Sequence, residues 1–151
     1  MRCVIQRVRQ ARVSVGERVV GEIGPGLLVL AGFVDDDEDA DLEWMARKVT
    51  RLRVFDDARG VMNLGVAETG GGILAVSQFT LYADLRKGNR PSYHRASAAE
   101  RAAGRYEQFL SLLARELGRP VARGEFGAGM SVALVNDGPV TIIVSSREET
   151  L

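Results

Sequence analysis

The segment "GLLVLAGFV" (26–34) is apolar without interruption. A strand wetted on one face alternates apolar and polar residues with period two, and this segment does not. It is a strand of the fully buried type, which belongs inside a layered domain with cover on both faces. The chain's 151 residues suffice for one such core, so a single domain over 1–151 is expected.

Around that strand the chain divides into short elements. Residues 2–8, 11–15 and 18–23 alternate as strands, broken at Gly16 and at Gly24-Pro25-Gly26. After the acidic stretch "DDDEDAD" (35–41), Leu42, Met45, Val49 and Leu52 keep one helical face while Glu43, Lys48 and Arg51 keep off it. The acidic start suits the positive end of a helix dipole. A strand pair is expected near 61–64 and 72–82. A second helix is expected from a Ser97/Glu100 capping box, with Ala103, Tyr106, Leu110 and Leu113 as its buried stripe and Gly118 then Pro120 as its stop. Strands near 121–125, 130–136 and 139–145 complete the chain. The expected class is α/β: one mixed, strand-rich domain, with two sheets or a barrel-like sheet and two main helices on one side.

Charge and cysteine usage narrow the setting. Twenty basic residues balance twenty acidic ones, which argues against a non-specific nucleic-acid coat but not against a local patch. Arg2, Arg7, Arg9 and Arg12 cluster early, and Arg86, Lys87 and Arg90 cluster later; solvated surface is the default reading for such groups. Cys3 is the single cysteine, so an internal disulfide is excluded and a reducing, cytoplasmic setting is expected. No apolar run is long enough to span a bilayer, and the N-terminus lacks a signal peptide's apolar block.

The usual catalytic catalogue does not fit. One His and one Cys cannot build the common structural zinc site, so no metal is expected. Cys3 reads as a small buried hydrophobe and His94 as an exposed residue before a helix. "TGGG" and "FGAGM" match neither a P-loop nor a dinucleotide fingerprint. Two segments remain. In "SQFTLYAD" (77–84), a continued strand would turn Ser77, Phe79 and Leu81 one way and Gln78, Thr80 and Tyr82 the other, giving an unusually polar face. In "NDGPVT" (136–141), a Gly-Pro step divides two β-rich runs, as an ordinary turn would.

Taken together, the motifs resemble those of the D-aminoacyl-tRNA deacylases, enzymes that remove D-amino acids from tRNA. "MRCVIQRV", "VVGEIGPGLLVLAGF", "SQFTLYAD", "KGNRPS", "FGAGM" and "NDGPVT" carry the resemblance along essentially the whole chain. Tyr93 is a small departure, at a position where the family more often has Phe. The resemblance implies a cytoplasmic homodimer with active sites at the subunit interface, acting on the 3′ end of aminoacylated tRNA, without cofactor, metal or membrane. It implies a cis Gly138-Pro139 step that reaches from one chain to face Ser77, Gln78, Phe79 and Thr80 of the other, with Arg7 steadying it. Met130, closing "FGAGM", joins Gly138, Pro139 and Arg7 in the group for substrate binding and chiral selection. A backbone wall of this kind excludes an L-side chain and admits a D-residue or glycine, so glycine mischarged on tRNA(Ala) is an expected substrate as well.

Two mechanisms fit the catalytic group Ser77, Gln78, Phe79 and Thr80. Thr80 could act as a nucleophile, but no His, Lys or carboxylate pairs with it in sequence. The preferred version uses the terminal adenosine's 2′-hydroxyl, with backbone donors from 78–80 and Thr80 positioning the substrate. The competing class is a dimeric module that binds a tRNA acceptor end, or another ligand, without chemistry.

Overall fold

A computed structural model describes residues 1–147. Its spine is β1 (Arg2–Val15), one long strand where two were expected. Both proposed halves belong to it because β8 (Ser131–Ser145) runs antiparallel along the whole of one edge. On the other edge, β1 pairs antiparallel with β3 (Gly26–Gly32) through Arg2–Val8 and with β2 (Arg18–Ile23) through Ala11–Val15. Beyond β3, β6 (Gly72–Ser77) and then β7 (Ala122–Arg123) add in parallel, giving the order β2-β1-β3-β6-β7 with β8 on β1. The sheet curls until its ends approach: an ideal Cβ on Gly21 of β2 would lie 2.3 Å from the Arg123 carbonyl oxygen of β7. The result is a strand-rich, nearly closed barrel-like sheet.

The alternation of β3 explains its unbroken apolar sequence. Leu27, Val29 and Ala31 point to the helices α1 (Asp39–Arg51) and α3 (Ala99–Leu117), where they meet Leu42, Met45, Val49, Tyr106, Phe109 and Leu113. Leu28 points the other way, into the curl, against Val8, Val13, Leu74 and Val76. Each large side chain fully buried in this way contributes about 1.5–3 kcal/mol. The two helices pack against each other and on the same side of the sheet.

Three expected elements differ. The strand near 61–64 does not pair with 72–82; β5 (Met62–Leu64) pairs with β4 (Phe55–Asp56) in a small sheet of its own, followed by the short helix α2 (Val66–Thr69). The runs 130–136 and 139–145 are one strand, β8. At its middle, Asn136 pairs with Val8 and Thr141 with Gln6, so residues 137–140 bulge out opposite the single residue Arg7. The Asn136 side-chain amide closes the neck of this bulge, donating to the carbonyls of Arg7 (2.9 Å) and Val140 (3.0 Å).

Ser97 does not cap α3. The helix begins one residue later than a Ser97 cap requires, with Ala98 as its N-cap. The Ser97 hydroxyl instead donates to the Asp35 carboxylate at 2.7 Å, and its N–H to the Phe33 carbonyl at 2.9 Å. The carboxylate is a charged acceptor, which makes this hydroxyl bond a strong one. The consequence is positional: the start of α3 is tied to the chain leaving β3. Ala102, not Ala103, is the buried member of the stripe's first turn. Among the described residues, no helix is long and apolar enough to cross a membrane.

Candidate active site

The parallel strands β3 and β6 stop at the same level, with Ala31 beside Ser77. The ladder makes one further bond, from the Gln78 N–H to the Ala31 carbonyl at 2.7 Å, and then the chain tightens into a 3-10 turn, Phe79–Tyr82. Gly32 permits this close folding. An added Cβ there would lie 2.9 Å from the Gln78 carbonyl oxygen and 3.2 Å from the Tyr82 ring.

The polar strand face expected for "SQFTLYAD" therefore does not exist. A 3-10 turn rotates successive side chains by a third of a circle, so Tyr82 leaves the side on which the Gln78 and Thr80 side chains meet. Tyr82 is buried, its ring beneath the Arg2 guanidinium at 5.1 Å. Phe79 is 57% exposed and sets its ring edge-on to Tyr93 at 5.0 Å. The Thr80 hydroxyl accepts a short hydrogen bond from the Gln78 side-chain amide.

At this junction lies a cavity of about 470 Å³. Ser77, Gln78 and Phe79 form one wall and Met130 another; Thr80 is not among its lining residues. The remaining walls, unforeseen from sequence, are mostly apolar: Phe33 from the end of β3, Ala102 from α3, Phe126 and Ala128 from the loop before β8, and Val132, with Ser97 just ahead of α3. Phe126 leans on Tyr106, whose hydroxyl donates to the Ala75 carbonyl at 2.8 Å. The sequence signals for these walls are the tail of the apolar run and the motif "FGAGM". The Ser97–Asp35 tie, which no local pattern announces, places the start of α3 beside the end of β3.

Gly138, Pro139 and Arg7 form a second group away from this cavity. The Gly138–Pro139 peptide is cis, and both residues are exposed at the tip of the β8 bulge. Arg7 lies behind them, its side chain only 12% exposed. It donates through Nε to the Asp137 carbonyl at 3.2 Å and through Nη1 to the Val54 carbonyl at 2.5 Å. Within one chain, none of the three lines the pocket of Ser77, Gln78, Phe79 and Met130.

The other reactive groups stand apart. Cys3 is wholly buried, and that burial pushes its thiol pKa far up, which leaves no thiolate for attack. His94 shares a hydrogen bond with Ser92 (3.1 Å) and lies 3.9 Å from Asp84. The Arg86 guanidinium clasps Asp84 and holds its carboxyl well below the usual carboxylate range. Among the described residues, no three His, Cys, Asp or Glu gather as a metal site would require.

A family model described as D-Tyr-tRNA(Tyr) deacylase matches residues 4–145. The chain belongs to the D-Tyr-tRNA(Tyr) deacylase family. This deacylase-family chain is 54% identical to a D-aminoacyl-tRNA deacylase of Dechloromonas aromatica (strain RCB), over 97% of its own length and 98% of the relative's. It is likewise 54% identical to a D-aminoacyl-tRNA deacylase of Chlorobaculum parvum, over 99% and 100% of the two chains. Among solved structures, it resembles a "c-Myc DNA Unwinding Element Binding Protein" with a TM-score of 0.91 and 42% identity, over 98% of this chain and all of that one. The pocket of this deacylase-family member thus combines a mainly apolar cavity with polar residues at Ser77, Gln78 and Ser97. That combination can hold a planar or apolar group while orienting a few hydrogen bonds.

Proposed function

We propose that this chain hydrolyses the ester bond of D-aminoacyl-tRNA, releasing the D-amino acid and free tRNA, and rejects the L-enantiomer. The observation that carries this reading is the 470 Å³ cavity bounded by the Ser77–Gln78–Phe79 turn in a chain of the deacylase family. The first N–H groups of a helical turn have no partner within it. That of Phe79, which lines the cavity, is therefore suited to the oxygen that becomes negative as the ester is attacked. Gln78 is not such a donor, because its N–H is already bound to Ala31.

A second copy of the chain completes the site. Gly138 and Pro139 stand exposed on β8, a strand paired on one edge only, and Val132, Val135 and Ile143 are exposed along it. Long unpaired edges with apolar side chains are rarely left open to water. In the proposed dimer, the bulge enters the other chain's pocket and its backbone occupies the volume that an L-side chain needs. Glycine offers nothing to exclude, so glycine mischarged on tRNA(Ala) is hydrolysed too.

Incubation with D-tyrosyl-tRNA and L-tyrosyl-tRNA, following ester loss, tests the activity. D-tyrosyl-tRNA is expected to be cleaved at least about a hundredfold faster, the scale of discrimination a rigid steric and polar site achieves. Equal rates would remove the chiral part of the reading. No ester loss from folded protein would favour a binding module without chemistry.

A further inference from the structure

Helix α1 presents a face that the proposed reaction does not use. Trp44, Arg47, Lys48 and Arg51 recur at i, i+3, i+4 and i+7, so they share one side of the helix. Leu42, Met45, Ala46 and Val49 fill the opposite, buried side. With Leu52 and Arg53, the four outward residues line a hollow of about 360 Å³. Lys48 Nζ stands 5.1 Å above the Trp44 ring.

Nearby carboxylates do not cancel this charge. Glu43 lies 3.9 Å from Arg47 in an exposed pair of a kind that contributes little, and Glu116, itself mostly covered, lies 3.6 Å from Arg51 and is shared with Arg115. Arg53 Nε donates to the Asn63 carbonyl at 2.9 Å, which leaves its charge unneutralised. Four cations therefore face two carboxylates in a chain whose net charge is zero. An apolar partner would strand those cations, whereas a polyanion satisfies them. An exposed indole among cations also suits a nucleic-acid chain, whose bases and sugars stack on aromatic faces.

The hollow's position connects it to the reaction. Arg53 precedes Val54, whose carbonyl binds Arg7 Nη1; the same guanidinium binds the Asp137 carbonyl. A Cβ on Gly138 would lie 2.8 Å from Arg7 Nη2. Arg7 thus joins the hollow's end to the Gly138–Pro139 bulge. We infer that the α1 hollow grips the sugar-phosphate backbone of the substrate RNA, and that each chain grips the RNA whose aminoacyl end lies in the other chain's pocket. The second clause rests on the reading that the bulge completes the partner's site. RNA leaving that pocket passes the bulge and meets the hollow next.

The test uses the triple variant Arg47→Gln/Lys48→Gln/Arg51→Gln, whose altered side chains lie off the buried face of α1 and which leaves Glu116 its second partner, Arg115, at 3.6 Å, so the fold is retained. Binding of uncharged tRNA is expected to weaken by at least about tenfold, and the slope of log affinity against log salt to fall by about 2–3. Cleavage of D-tyrosyl-adenosine, which keeps the ester and the ribose but has no RNA chain, should be unchanged. Unaltered tRNA binding would overturn the inference, as would an equal loss on D-tyrosyl-adenosine. A variant with a changed sedimentation coefficient would assign the face to subunit contact instead, which also overturns it. If the wild type binds tRNA through these residues but cleaves neither ester, the grip stands and the deacylase reading falls.

Discussion

Gly138→Ala is expected to reduce deacylation of D-aminoacyl-tRNA by about a hundredfold, the effect of a misplacement of roughly 1 Å in a positioning element. Gly138 has φ +123°, which L-residues adopt only at a strain of about 1–3 kcal/mol. The new methyl would also lie 2.8 Å from Arg7 Nη2 and 3.0 Å from Val140 Cγ2. Arg7 cannot swing aside, because the Asp137 and Val54 carbonyls hold it and its side chain is 88% covered. The exposed tip must move instead. The disturbance stays local, since the ladder resumes at Val8–Asn136 on one side and Gln6–Thr141 on the other. The Cβ thus collides first with its own chain. Initial rates, circular dichroism and sedimentation check the outcome together; an unaltered rate would show that the bulge has no part in the reaction.

Removing the 2′-hydroxyl from the terminal adenosine should slow deacylation by about 10²–10³-fold, within the range for loss of positioned proton transfer. Thr80→Ala should slow it by less than about tenfold. The asymmetry follows from where Thr80 lies. Its hydroxyl is bound by the Gln78 amide, it does not line the cavity, and Asp84 and His94 are engaged with Arg86 and Ser92. A threonine without a base is a poor nucleophile at neutral pH. The vicinal hydroxyl of the substrate sits beside the ester by construction. Single-turnover rates on the 2′-deoxy and ribose substrates provide the comparison. An acyl group trapped on Thr80 would reverse the assignment.

The buried layers were legible because periodicity reports burial directly. The unbroken "GLLVLAGFV" gave a strand covered on both faces, and the stripes of α1 and α3 gave two helices on one side of it. Where the reading failed, a tertiary partner overrode a local rule. "SQFTLYAD" has strand composition, but β3 ends at Gly32 and leaves nothing to continue the ladder beyond Gln78. Ser97 has the spacing of a cap, but Asp35, remote in sequence, takes its hydroxyl. The cavity's apolar walls escaped notice for the same reason: Phe33, Ala102, Phe126 and Val132 look like ordinary core residues until the fold brings them to one place.

The central claim is that two chains share each site, and complementation in a mixed dimer tests it most directly. One chain carries Gly138→Ala, with an intact pocket. The other carries Ala128→Trp, which fills the pocket from its loop wall and leaves Gly138 intact. Each homodimer should be inactive. Co-expression with two different tags isolates the mixed dimer, in which one of the two sites unites an intact pocket with an intact Gly138. Deacylation of D-tyrosyl-tRNA should return to about half the wild-type rate, as expected for one working site of two. A mixed dimer as inactive as its parents, or a fully active wild-type monomer, would contradict the account.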